Sequence, residues 1–278
     1  MTSNTAETRS TDLVAESDRP RVVDLPGGSI SYRLRGEGPL LVLVTTLSGT
    51  WMRQIPTLRK YFTVLTYDMR GFGDSVSTTG FPTNEEHADD LALLLDALGF
   101  PAGTVLGLSH GGLVSQWFAV RHPDRLTGLA LVATFATPSD STGQFLTMLY
   151  GFLERDDIGN FWEVLKTFLF SAANWTALTR WESGLRRAMF DQYTTASLRS
   201  IYGGALAHTS PAGLERISCP TLVVGGEKDM LFPPERTREL AERIPAAKMA
   251  LLPAAHVPPV EIPKIFNDLV TDFFGGTR

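Results

Sequence analysis

Cysteine is almost missing from these 278 residues: Cys219 stands alone. A single thiol cannot close an intrachain disulfide, so nothing points to an oxidising compartment. Its place beside Pro220, at the start of an apolar run, suits a small core residue. Long hydrophobic runs are missing too, and no stretch approaches the roughly 18 apolar residues of a membrane span. The opening "MTSNTAETRSTDLVAESDRP" has no apolar core of the kind a secretory signal carries. Residues 1–19 read as a flexible tail, and the protein as cytoplasmic with no membrane partner. Positive charge is also scarce. With 25 Lys and Arg against 30 Asp and Glu, the net charge is −5, which leaves no basic footprint for nucleic acid. No His or Cys cluster has metal-ligand spacing, and neither a metal nor an organic cofactor is expected.

What remains is a globular composition, 43% apolar and 20% charged, long enough for one large domain or a domain with an insertion. Short apolar runs alternate with helical patterns. "RVVDL" and "ISYRL" flank Pro26-Gly27-Gly28 as the arms of a hairpin. "LLVLVT" is apolar almost throughout, as a strand buried on both faces should be. "FTVLTYD", "TVLGL", "LTGLALVA", "TLVVGG" and "KMALLP" are further strand candidates. The clearest helix runs from Asn84 to Leu98, with Thr83 and Glu86 at capping-box spacing and Gly99 at the stop. This alternation implies a mostly parallel sheet covered on both faces.

The alternation breaks over residues 137–213, where aromatics crowd and no strand pattern appears. Phe161, Leu165, Phe168 and Leu169 recur at helical spacing. A helical insertion with its own core explains them, and some of these side chains can also line an apolar cleft against the main domain. The remaining segments, 20–136 and 214–278, form the core.

"TVLGLSHGGLVSQWF" sends a strand straight into a helix through a serine ringed by glycines. A serine at such a strained turn presents its hydroxyl at the C-terminal edge of the sheet. The residues two before and two after it crowd together, so glycine suits Gly107 and Gly111. Gly112 lets the helix approach the sheet, and the helix's first N–H groups point where an oxyanion can form. A serine needs a base. His87, on a polar helix face, and His122, before Pro123, read as surface residues; His208 has no strong reading. His110 offers its backbone N–H as an oxyanion donor, its ring pointing away from Ser109. That leaves His256, in "LLPAAHVPPVEIP", on a loop after the last strand. The base needs an acid. "LVVGGEKDMLFPP" offers Asp229, with Glu227 as competitor, and the order Ser109, Asp229, His256 is one fold's order.

On these motifs the chain resembles the α/β-hydrolase family from about Pro20 to Phe274. "YDMRGFGDS" looks like its segment after the fourth strand, "RHPDRLTGLALV" like its link from the elbow helix to the next strand, and "HVPPVEIP", with Glu261 and Pro263 opening the last helix, like its histidine loop. "GLSHGG" and "SQWFAVRHPDRL" look most like its enol-lactonase and small-esterase branch. The resemblance implies a mostly parallel eight-stranded sheet, helices on both faces, a helical cap insertion and serine-hydrolase chemistry. Relatives usually carry His-Gly after the third strand; here Thr45 and Thr46 stand there, followed by Leu47. The resemblance makes Leu47 the second oxyanion donor beside His110, and gives Asp68 and Arg70 a bracing role. Thr46, Phe135, Trp162 and Val257 are the candidate substrate-binding residues.

The expected reaction is cleavage of an ester or lactone bond in a small, largely apolar substrate. A carbon–carbon bond hydrolase and an acyl-transfer or cyclising enzyme use the same triad and stay open. A non-catalytic receptor with the same pocket is the alternative from another class.

Overall fold

The computed structural model describes residues 19–46, 48–175, 191–245 and 247–275. Most of the expected tail, Leu47, and the insertion's Trp181 and Phe190 lie outside the described residues.

A single sheet organises the chain. Its strands are β1 (Arg21–Leu25), β2 (Gly28–Arg35), β3 (Leu40–Val44), β4 (Thr63–Tyr67), β5 (Val76–Ser77), β6 (Gly103–Leu108), β7 (Leu126–Val132), β8 (Thr221–Gly226) and β9 (Ala247–Leu252). They lie in the order β1-β2-β4-β3-β6-β7-β8-β9, with the two-residue β5 beside β2. This is the expected eight-stranded path with one short strand added. Pairings of β2 with β1, β4 and β5 are antiparallel, and every pairing from β4 to β9 along that path is parallel. The hairpin closes through Pro26 and Gly27, with Leu25 opposite Gly28; Gly27, at φ 87°, takes the left-handed turn position.

The central strands are apolar on both faces because helices cover both. Val42, Val44 and Val105 face one layer with Leu91, Leu95, Val114 and Phe118. Leu41, Leu43, Leu106 and Leu108 face the other with Leu58, Phe266 and Val270. The alternation along β3 is the two-residue period of a strand. The first layer comprises α1 (Asn84–Ala97) and α2 (His110–Arg121); α6 (Pro234–Glu242) also packs on the sheet and α7 (Pro263–Phe274) closes the opposite layer. The α1 start is the expected capping box: Glu86 N–H donates to Thr83 Oγ1 at 3.2 Å, and Thr83 N–H to Glu86 Oε2 at 2.7 Å.

Between β7 and β8 come α3 (Asp140–Glu154), α4 (Ile158–Leu169) and α5 (Thr195–Leu206). Their apolar faces share a core of their own, including Leu149, Phe161, Leu165 and Leu198, which main-domain Phe135, Phe232 and Val257 join. Arg199 ties α5 to the end of α3, its guanidinium donating to the Leu153 carbonyl at 2.7 and 3.0 Å. The chain leaves β3 toward β4 on one side, while β6 lies on the other. The crevice beyond the C-terminal ends of β3 and β6 is therefore a topological switch point, where open α/β sheets bind ligands.

Candidate active site

Ser109 sits at that crevice, between β6 and α2, with φ 53° and ψ −117°. Such a backbone costs a non-glycine residue on the order of 1–3 kcal/mol. The surroundings hold it there: Ser109 N–H donates to the Val132 carbonyl at 2.8 Å, and the Ser109 carbonyl accepts from Gly112 N–H at 2.8 Å and Leu113 N–H at 3.3 Å. The His110 N–H, first in the helix, stays outside the intrahelical ladder. Glycine is required on both sides. A Cβ on Gly107 would run into the Gly111 carbonyl, and one on Gly111 into the Val44 carbonyl. Gly112 approaches β7's end so closely that a Cβ would stand 2.7 Å from Thr134. Gly111→Ala should therefore destabilise the protein by about 1–3 kcal/mol, read as a lower denaturant midpoint at unchanged slope.

The three residues separated by 147 and 27 positions meet. His256 Nε2 is 3.0 Å from Ser109 Oγ, and His256 Nδ1 is 2.9 Å from Asp229 Oδ2. Asp229 is buried, and its other oxygen accepts the N–H groups of Leu231 and Phe232, both at 2.9 Å. The carboxylate is fixed by its own loop before it meets the imidazole. The competitor Glu227 is exposed. The Phe232 ring packs edge-on against His256, centroids 4.8 Å apart.

A cavity of about 150 Å³ lies over Ser109, walled by α4 and α5 and by the loops after β3 and β8. Engineered apolar cavities of about this size hold one benzene-sized molecule. Thr46, Trp162 and Val257 line it, with Thr45 and Phe232 beside them. Among the described residues, its wall carries no Lys, Arg, Asp or Glu. Tyr193 and Tyr202 also line it, and burial raises both phenols, so they face the cavity as neutral hydroxyls. Tyr193 OH is hydrogen-bonded to Thr46 Oγ1, which occupies the threonine hydroxyl. The sequence marks Tyr193 only as one aromatic among many; no local pattern signals that it reaches across to the loop after β3.

Two readings need correction. Phe135 does not line the cavity: it lies one layer behind, its ring 4.7 Å from Phe232 and 5.8 Å from His208 by centroids. His87 is not at the surface; it is 2% exposed, packed against Phe72 and His110. Arg70 pairs with Asp90 at 2.8 Å on the same helix, so the face that looked polar is turned inward. His122 keeps part of its ring in solvent while bonding Asp89 at 2.8 Å. Asp68 braces as expected: it accepts Ser48 N–H at 2.8 Å and Asp74 N–H at 3.1 Å, which anchors the backbone just after Leu47.

Burial pushes three histidines down: His110 and His208 to about 4, and His87 well below its ordinary value. All three are neutral in the folded protein at pH 7. On unfolding they regain an ordinary value near 6.5, so the unfolded chain binds more protons at lower pH. Their contribution to stability is complete above about pH 6.5 and is lost as pH falls toward 4. The melting temperature should drop across that window, and His208→Leu should make the drop shallower.

Among the described residues, no group of three His, Cys, Asp or Glu side chains could hold a metal ion. No described helix is long and apolar enough to cross a membrane.

Comparison with known proteins agrees with this architecture. Residues 39–261 match the family described as "alpha/beta hydrolase fold". A Caulobacter sp. protein named "Putative carbamate hydrolase RutD" is 32% identical over 234 residues, 82% of this chain and 87% of the relative. The 3-oxoadipate enol-lactonase 2 of Acinetobacter baylyi is 27% identical, over 87% of this chain and 91% of the relative. The enol-lactonase structure from Burkholderia xenovorans superimposes with a TM-score of 0.82 at 27% identity, covering 92% of this chain and all of that one. The fold, the strained serine turn between β6 and α2 and the family match coincide: the chain belongs to the α/β-hydrolase family.

Proposed function

We propose that the chain is a serine hydrolase that cleaves an ester or lactone bond of a small, uncharged, largely apolar substrate through an acyl-enzyme on Ser109. The observation that carries this reading is the continuous hydrogen-bonded line from Asp229 through His256 to Ser109, ending in an apolar cavity. Asp229 holds the His256 proton on Nδ1, which leaves Nε2 free to accept the Ser109 proton. Ser109 Oγ attacks the carbonyl carbon, and the N–H groups of His110 and Leu47 stabilise the oxyanion. Imidazolium Nε2–H then protonates the departing alkoxide. Water, deprotonated by the same nitrogen, attacks the acyl carbon; the bond from that carbon to Ser109 Oγ breaks, Oγ takes the proton back from Nε2–H, and the acid leaves.

The described wall supports this substrate class. A 3-oxoadipate enol-lactone retains a free carboxylate, and the described wall offers no cation to pair with one. An unpaired buried carboxylate costs several kcal/mol. A neutral aryl ester should therefore be hydrolysed with kcat/KM on the order of 100-fold or more above its carboxylated analogue. Equal or better turnover of the anion would overturn the assignment of an uncharged substrate. The carbamate named for the Caulobacter relative presents a similar acyl carbonyl and belongs in the same panel.

A further inference from the structure

Glu261 ends the short helical turn Pro258–Glu261, just after His256. The sequence places it as an opener of the last helix, but its carboxylate points elsewhere. Oε1 accepts the N–H of Ala255, the residue before His256, at 2.6 Å. Oε2 accepts Ser171 N–H at 3.0 Å, Ser171 Oγ–H at 2.6 Å and Asn174 Nδ2 at 2.7 Å. Ser171 follows α4, whose Trp162, Leu165 and Leu169 wall the cavity. One carboxylate thus joins the histidine loop to the insertion, across 90 residues of sequence.

The turn carrying Glu261 is itself fixed to the main domain. Gln54 Nε2 donates to the Pro259 carbonyl at 2.6 Å, and Arg53 Nη1 to the Val260 carbonyl at 3.0 Å. The tether therefore runs from a rigid base in two directions, with one oxygen given to each.

We propose that Glu261 is a positioning residue that locks the α4 wall of the cavity to the His256 loop, so that substrate-binding wall and base are set together. This rests on the reading of His256 as the base. Four donors converge on two acceptor oxygens, and no isostere reproduces that. Glutamine has one carbonyl oxygen, so its NH2 must face either Ala255 N–H or the Ser171 and Asn174 donors. Aspartate is one methylene too short to reach both sides. An N–H or O–H left without its acceptor loosens the segment that carries it, and small misplacement of a catalytic group costs up to about 100-fold in rate.

The test is amide hydrogen exchange on the full-length protein, followed by kinetics. Glu261→Gln should speed exchange several-fold in both 169–175 and 253–257. Asn174→Ala, which leaves the Glu261–Ala255 bond in place, should also speed exchange in 253–257, because the insertion and the loop share one clamp. Glu261→Gln should then lower the rate of Ser109 labelling by a small fluorophosphonate on the order of 10- to 100-fold. For a hexanoyl ester, Asn174→Ala should lower kcat as well as raise KM. Exchange changes confined to 169–175 in Asn174→Ala, or wild-type protection of 253–257 in Glu261→Gln, would overturn the lock. The exchange readout needs no catalysis. A lock that behaves as stated in a wild type that no fluorophosphonate labels would overturn the serine-hydrolase reading alone.

Discussion

Ser109→Ala should reduce kcat for a neutral aryl ester by roughly a millionfold and leave the fold intact. Among the described residues, the side chain's only hydrogen-bond partner is His256 Nε2, at 3.0 Å. The bonds that hold the turn belong to the Ser109 backbone, which alanine keeps. Alanine at φ 53° is strained as serine is, so no stability is recovered from the backbone. Melting temperature and substrate KM should therefore stay near wild type while turnover collapses to the residual rate set by oxyanion stabilisation and binding. A variant that kept a hundredth of wild-type turnover would move the nucleophile elsewhere.

The second large effect is expected at Asp229→Asn, on the order of ten-thousandfold in kcat. Its cause is a tautomer rather than a lost contact. The asparagine carbonyl oxygen can still accept the N–H groups of Leu231 and Phe232, which fix the loop at 2.9 Å. Its NH2 group then faces His256 Nδ1, which must become an acceptor. The imidazole proton moves to Nε2, where it points at Ser109 Oγ and cannot receive the hydroxyl proton. Geometry survives and chemistry does not. Glu227→Gln, altering an exposed side chain, should leave turnover within about twofold of wild type. Steady-state kinetics on the two variants decides between the carboxylates, and full activity in Asp229→Asn would contradict the assignment.

The parts of the site that sequence reveals are those set by local chemistry. Gly107 is demanded by crowding against the Gly111 carbonyl four residues on, and the α1 capping box closes within three residues. Both leave a signature over a few positions. Val76–Ser77 leaves none, because a two-residue strand has no period to detect. His87 misleads for a related reason. Its face of α1 carries Asp90, which looks solvent-facing until Arg70, 20 positions earlier, arrives to neutralise it. Phe135 follows β7, where the alternation that assigns strand faces has ended, and Phe232 takes the cavity wall in front of it. Tyr193 and Glu261 act across 147 and 90 residues of sequence; only the folded chain brings them to Thr46 and Ser171. Local rules shape the Ser109 turn, and long-range packing supplies the cavity around it and the hydrogen bonds of Tyr193 and Glu261.

The central claim is that Ser109 is an activated nucleophile. Intact-mass analysis of wild type and Ser109→Ala after exposure to a small fluorophosphonate tests it most directly. The account predicts one covalent adduct on the wild type and none on the variant. A folded wild type that gains no adduct, or a Ser109→Ala protein that gains the same one, would contradict it.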